Sequence, residues 1–118
     1  ENDRGNFIIH ALPIEAQFAP TESILIQDFD GDGNQDVILG GNFYGVIPKI
    51  GRYDASYGNY LQGDGKGNFK NIEPRKSGWT LSGEIRAMKM MEIGDNSAVI
   101  VARNNENVLV KVWRKPVE

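Results

Sequence analysis

The feature that most constrains the fold is internal repetition. "GNF" occurs at Gly5-Asn6-Phe7 and again at Gly67-Asn68-Phe69, 62 residues on (5 to 67). "VILGGN", Val37 to Asn42, has a counterpart in "VIVARN", Val99 to Asn104, again 62 residues on (37 to 99). Two separate matches at one offset point to a duplication, with repeat 1 at about 5–66 and repeat 2 at about 67–118. A period of this size suits stacked units of short strands, each too small to bury its own apolar face.

The strand signals fit that reading. Ile24–Phe29 and Asp36–Leu39 are short apolar runs bounded by turn residues and read as strands buried on both faces. "YLQGDGKGNFKNI" reads as a hairpin turning at Asp64-Gly65-Lys66-Gly67, where glycine supplies positive φ. Ile85–Ile93, Ala98–Arg103 and Val108–Arg114 supply three strands in repeat 2, and Asn6–Ala11 is expected as an outer strand like the second arm of the later hairpin. A weak helical signal covers only Pro13–Gln17, too short to stand alone. The predicted fold class is all-β: two four-stranded antiparallel sheets in an offset arrangement, the outer strand of one repeat completing the sheet before it. The opening segment "ENDRGNF" reads as mature or mid-protein sequence.

Between the first two strands lies "DFDGDGNQD", Asp28 to Asp36. Unscreened carboxylates in one turn repel and oppose folding, so a cation is expected here; the alternative is an Asp/Gly turn without metal, a loop type these side chains also favour. Calcium takes six to eight oxygens from a flexible acidic loop. Asp28, Asp30 and Asp32 alternate toward one centre, Gly31 and Gly33 let the backbone curl, the carbonyl of Asn34 adds a neutral oxygen, and Asp36 closes the site from the next strand. An EF-hand begins alike, but its twelfth position is Glu; here it is Leu39, inside an apolar strand. At the same offset in repeat 2 stand Met90, Glu92, Gly94, Asn96 and Ala98, a set without the carboxylates for a second site.

Asp28-x-Asp30-x-Asp32-Gly33-x-x-Asp36 followed by "VILGG" resembles the calcium loop of FG-GAP or VCBS repeats, which build the β-propeller of integrin α subunits and of many secreted bacterial proteins. The chain as a whole is similar to the C-terminal blades of bacterial VCBS-repeat proteins related to cartilage acidic protein. The resemblance implies two blades of a seven-bladed propeller, calcium as cofactor, a location that is secreted, periplasmic or at the cell surface, and a binding or scaffold role toward protein or glycan ligands without catalysis.

The second distinctive segment is Asn42 to Tyr60. In repeat 2 only Asn105-Glu106-Asn107 joins the equivalent strands, so repeat 1 has gained a long loop, a common carrier of function. It presents Tyr44, Arg52, Tyr53, Asp54 and Tyr57, residue types frequent in recognition surfaces, and Trp79 is expected nearby. The competing expectation is that these aromatics staple the loop to its own sheet. An enzyme acting on polysaccharide is the alternative, with carboxylates such as Glu84 or Asp54 in a cleft. His10, the one histidine of the chain, has no nucleophile motif beside it, and Met88, Met90 and Met91 read as core filler.

Composition excludes several classes. Net charge is −3, with no basic patch for nucleic acid. No apolar run approaches the length of a membrane span. There is no cysteine, hence no disulfide or thiolate zinc site. The outward faces of two such sheets are expected to be apolar, which predicts contact with preceding blades of a longer chain or self-association.

Overall fold

The computed structural model describes residues 2–42 and 56–113. They form three antiparallel sheets. A hairpin pairs β1 (Asn2–Asp3) with β2 (Asn6–Phe7). A four-stranded meander follows, in the order β3 (Thr21–Gln27), β4 (Asp36–Gly41), β5 (Asn59–Gly63) and β6 (Phe69–Ile72). A three-stranded meander ends the described chain, with β7 (Ile85–Ile93), β8 (Asn96–Arg103) and β9 (Leu109–Trp113). A 3₁₀ turn at Ile14–Gln17 and one helical turn, α1 (Pro74–Ser77), complete the elements. The helical turn opens on proline and closes on left-handed Gly78, the arrangement expected of residues that respectively start and stop a helix.

Two expectations are corrected. The outer strand predicted at Asn6–Ala11 is reduced to Asn6–Phe7, and it pairs only with the residues just before it; Gly5 and Arg4 take positive φ and fold it back locally. The second four-stranded sheet has three strands among the described residues. The offset arrangement itself is present, since Phe69–Ile72 of repeat 2 closes the sheet built from repeat 1.

The core lies between the two larger sheets. Strand alternation puts Leu25, Ile38, Tyr60 and Ile72 in one cross-strand row on the inner face of the first sheet. Met88, Val101 and Leu109, with Met90 and Val99, form the facing surface of the other. Trp79 and Leu81, from the connection after α1, and Ile85 at the start of β7 complete this cluster. On the other side of the first sheet, Val37, Leu39 and Leu61 pack with Ala16 and Phe69. Thus β4 is buried on both faces as expected, but β3 is not: Ile24 and Ile26 stand 57% and 62% exposed, because β3 is an edge strand and the 3₁₀ segment covers only the middle of that face.

The two larger meanders share a backbone pattern. The β3–β4 register slips between Thr21 and Ser23, and the β7–β8 register slips at the same place, between Ile85 and Ala87. Asn42 N–H donates to Pro20 O (3.2 Å), and Asn104 N–H donates to Glu84 O (2.9 Å). The offset is therefore 62 on β4 and β8 but 64 on β3 and β7 (20 to 84), since the turn between the paired strands is two residues shorter in the second repeat. Where repeat 1 has its acidic loop, repeat 2 continues pairing to a tight turn at Gly94-Asp95, and Ala98 stands where Asp36 stands.

Candidate functional site

The acidic loop is built from side chains capping their own backbone, the local chemistry that makes aspartate a turn residue. Asp28 accepts from Gly31 N–H (2.7 Å) and Gly33 N–H (2.9 Å). Asp30 accepts from Asp32 N–H (3.1 Å) through one oxygen and from the Gln62 amide through the other. Gly31 and Gly33 take φ of 81° and 89°, values costly for residues with a Cβ. The loop is thereby curled before any ion is considered.

Asp36 differs from its neighbours. It is fully buried, and its carboxylate accepts three hydrogen bonds: Phe29 N–H (3.0 Å) and Tyr60 O–H (2.8 Å) on one oxygen, Gly63 N–H (2.9 Å) on the other. One side chain thus ties the start of the loop to β5. Gly63 is required by the close approach of the chains, because a Cβ there would fall 2.1 Å from the Gln35 carbonyl oxygen. Burial pushes the Tyr60 phenol well above its ordinary value, and its bond to Asp36 and the charges of Asp36, Asp30 and Asp32 push the same way. Both effects favour the protonated phenol that donates to the carboxylate.

Asp28, Asp30 and Asp36 each bring a carboxylate oxygen into one group, all within 4.8 Å of one another. At that separation and an effective dielectric near 20, two unit charges repel by on the order of 3 kcal/mol, a repulsion that a divalent cation among them would relieve. The donor set fits a hard ion: a carboxylate offers about four lone-pair positions, and none of these three has all of its positions taken by the bonds above. Asp32, expected in the same set, is not in that group. Asp32 instead accepts from the Asn34 backbone (2.7 Å) and side-chain amide (3.1 Å), the short-range pairing that Asx turns favour. The clustered patch above and the buried polar network below make a surface suited to binding an ion or ligand.

Beside the cluster runs a groove of about 240 Å³, lined by Phe29, Asp30, Tyr60, Gln62, Lys76 and Trp79 among others. Its aromatic wall is a packed cluster: Phe29 meets Trp79 edge-on at 5.4 Å and Tyr60 edge-on at 6.2 Å between ring centres. Trp79, expected beside the long loop, is only 9% exposed and belongs to the core. Tyr57 is 60% exposed, and its carbonyl accepts from Leu81 N–H (2.6 Å). Tyr44, Arg52, Tyr53 and Asp54 lie outside the described residues. Asn42 closes the base of that loop: its side chain donates to Ser56 O (2.7 Å) and Gly83 O (3.0 Å) and accepts from Ser56 N–H (3.2 Å).

Glu84, one of the two carboxylates considered for catalysis, is buried and pairs with Arg86 (2.6 Å) and Asn104 (2.7 Å). His10 is exposed and outside any strand. Of the methionines, Met88 is buried and Met90 partly so, while Met91 points outward. Sequence reasoning did not single out Tyr60, Gln62 and Gly63 for the site. Their roles follow from β5 lying beside β4, and no local pattern encodes that neighbourhood. No helix among the described residues is long and apolar enough to cross a membrane. Comparison with protein-family models, with curated proteins and with solved structures gives no match to this chain.

Proposed function

We propose that this chain is a calcium-stabilised β-propeller segment of the FG-GAP or VCBS type, acting outside the cytoplasm as a binding or scaffold module for a protein or glycan. The observation that carries the reading is the convergence of Asp28, Asp30 and Asp36 within 4.8 Å, from a loop with aspartates at alternating positions. Asp32, after rotation of its side chain off Asn34, and the Asn34 carbonyl complete the proposed oxygen set. The ion neutralises the turn and stabilises the folded state by mass action. The neighbouring aromatic groove and the Asn42–Tyr60 segment are the proposed ligand surfaces, the former offering ring edges with Gln62 and Lys76 at its rim.

Thermal unfolding in chelator and in calcium tests the metal. For sites with dissociation constants of about 10⁻⁴–10⁻³ M, roughly 10 mM calcium adds about 1.4–2.7 kcal/mol. The melt should rise in calcium, and Asp30→Ala should abolish the rise. A wild-type melt that is the same in chelator and calcium removes the proposal. A screen of glycans and proteins, with and without calcium, then addresses the ligand.

A further inference from the structure

The two outward sheet faces of this molecule are matched halves of one contact. With offsets of 64 on β3/β7 and 62 on β4/β8, the outer residues Ile24, Ile26, Val37 and Leu39 of the first sheet correspond to the inner residues Met88, Met90, Val99 and Val101 of the second. The inner row Leu25, Ile38 and Tyr60 corresponds to the outer row Lys89, Ile100 and Val110. The inner-to-inner contact within the chain therefore joins one face of each type; of the two outer faces, that of the β7–β9 sheet is exposed, and that of the β3–β6 sheet is covered over Val37, Leu39 and Leu61 and open at Ile24 and Ile26.

We propose that copies of this chain associate head to tail, the outer face of the β7–β9 sheet of one copy seating on the outer face of the β3–β6 sheet of the next. The occupant of each face is a second copy, because the contact continues one the fold already makes. Three features support it. Within the chain, β7 lies against β3 and β4. The equivalent of β7 on the open face is β3, and β3 is the strand the 3₁₀ segment leaves uncovered, with Ile24 and Ile26 exposed. The opposite face is apolar too, with Met91, Ile93, Val110 and Val112 exposed and Lys89 its one charge among the described residues of the three strands. The polar contact is also carried over. The residues at the two register slips, Glu22 and Arg86, form an ion pair between the sheets at 3.8 Å. They are equivalent at an offset of 64 and opposite in sign, so in the stack Arg86 of one copy comes to Glu22 of the next. Lys89 departs from the pattern, standing where Leu25 stands; its apolar stem can lie on the face while the ammonium reaches water.

Such an interface is heterologous, using different surfaces on the two partners, and it ends in a ring or an open filament. Sedimentation at roughly 10–100 µM, where exposed apolar surface drives association, tests it on the full chain. The wild type should associate as concentration rises. Ile24→Lys with Ile26→Lys, and separately Met91→Lys with Val110→Lys, should each give folded monomers with cooperative melts, since all four positions are exposed within one copy. Mixed in equal amounts, the two variants should form a two-chain complex and nothing larger, each supplying the face the other lacks. A monomeric wild type overturns the proposal. So does a variant that still pairs with itself, which would show a symmetric contact, and so does a mixture that stays monomeric.

Discussion

The Asp36→Asn variant keeps the volume of a buried side chain and removes its charge. In its best orientation the asparagine oxygen still accepts from Phe29 N–H and Tyr60 O–H. Its NH₂ group then faces Gly63 N–H, donor against donor, where the carboxylate accepts at 2.9 Å. A buried donor left unpaired costs about 1–3 kcal/mol. For a domain of this size 1 kcal/mol moves the melt by roughly 4 °C, so the expected loss is about 4–12 °C. Asp36→Ala strands all three donors and should cost more than Asp36→Asn, since each buried unpaired donor adds its own penalty of about 1–3 kcal/mol. Loss of charge also relieves repulsion from Asp28 and Asp30, which acts in the opposite direction. Asp28→Ala is the control: it gains the same kind of relief, but the N–H groups of Gly31 and Gly33 that it frees are exposed and turn to water, for a net change below about 1 kcal/mol. All three melts are measured in chelator, so that metal does not enter. If Asp36→Asn melts with the wild type, or if Asp28→Ala costs as much as Asp36→Ala, the carboxylate of Asp36 is not the organising acceptor of this loop.

Trp79→Ala should lower stability by about 3–5 kcal/mol, the cost of truncating a large buried aromatic, as read by urea unfolding; a change below 1 kcal/mol would place Trp79 on the surface, available to a ligand alone. At the Asp64–Asn68 turn, the bond from the Asn68 side chain holds the Asp64 carboxyl below its ordinary value of 3.8, helped by Lys66 N–H. A depressed carboxyl stabilises the fold above its unfolded value and stops doing so as pH falls through the folded one. Urea midpoints should therefore show an acid-side loss below about pH 4 that is smaller in Asp64→Asn; an identical loss in the variant would assign it to other carboxylates.

Much of this protein was legible in the sequence because it rests on local chemistry. The hairpin turning at Asp64–Gly67 and the strands from Ile85 onward follow from apolar runs and turn residues. So does the curl of the acidic loop, where aspartates cap amides two to five residues away. Other features needed the tertiary structure, because their causes are distant in the chain. Nothing local separates Asp36 from Asp28; what distinguishes it is a phenol 24 residues away and an amide 27 residues away, brought there by β5. The same spacing that suggested five ligands in a row did not show that Asp32 would turn to Asn34. Trp79 looked like a surface aromatic in a turn-rich segment, yet Phe29 and the gap between two sheets draw it into the core. A short apolar run marked Ile24 and Ile26 as core residues, and only the order of strands decided otherwise, since an edge strand keeps its outer face in water until something covers it.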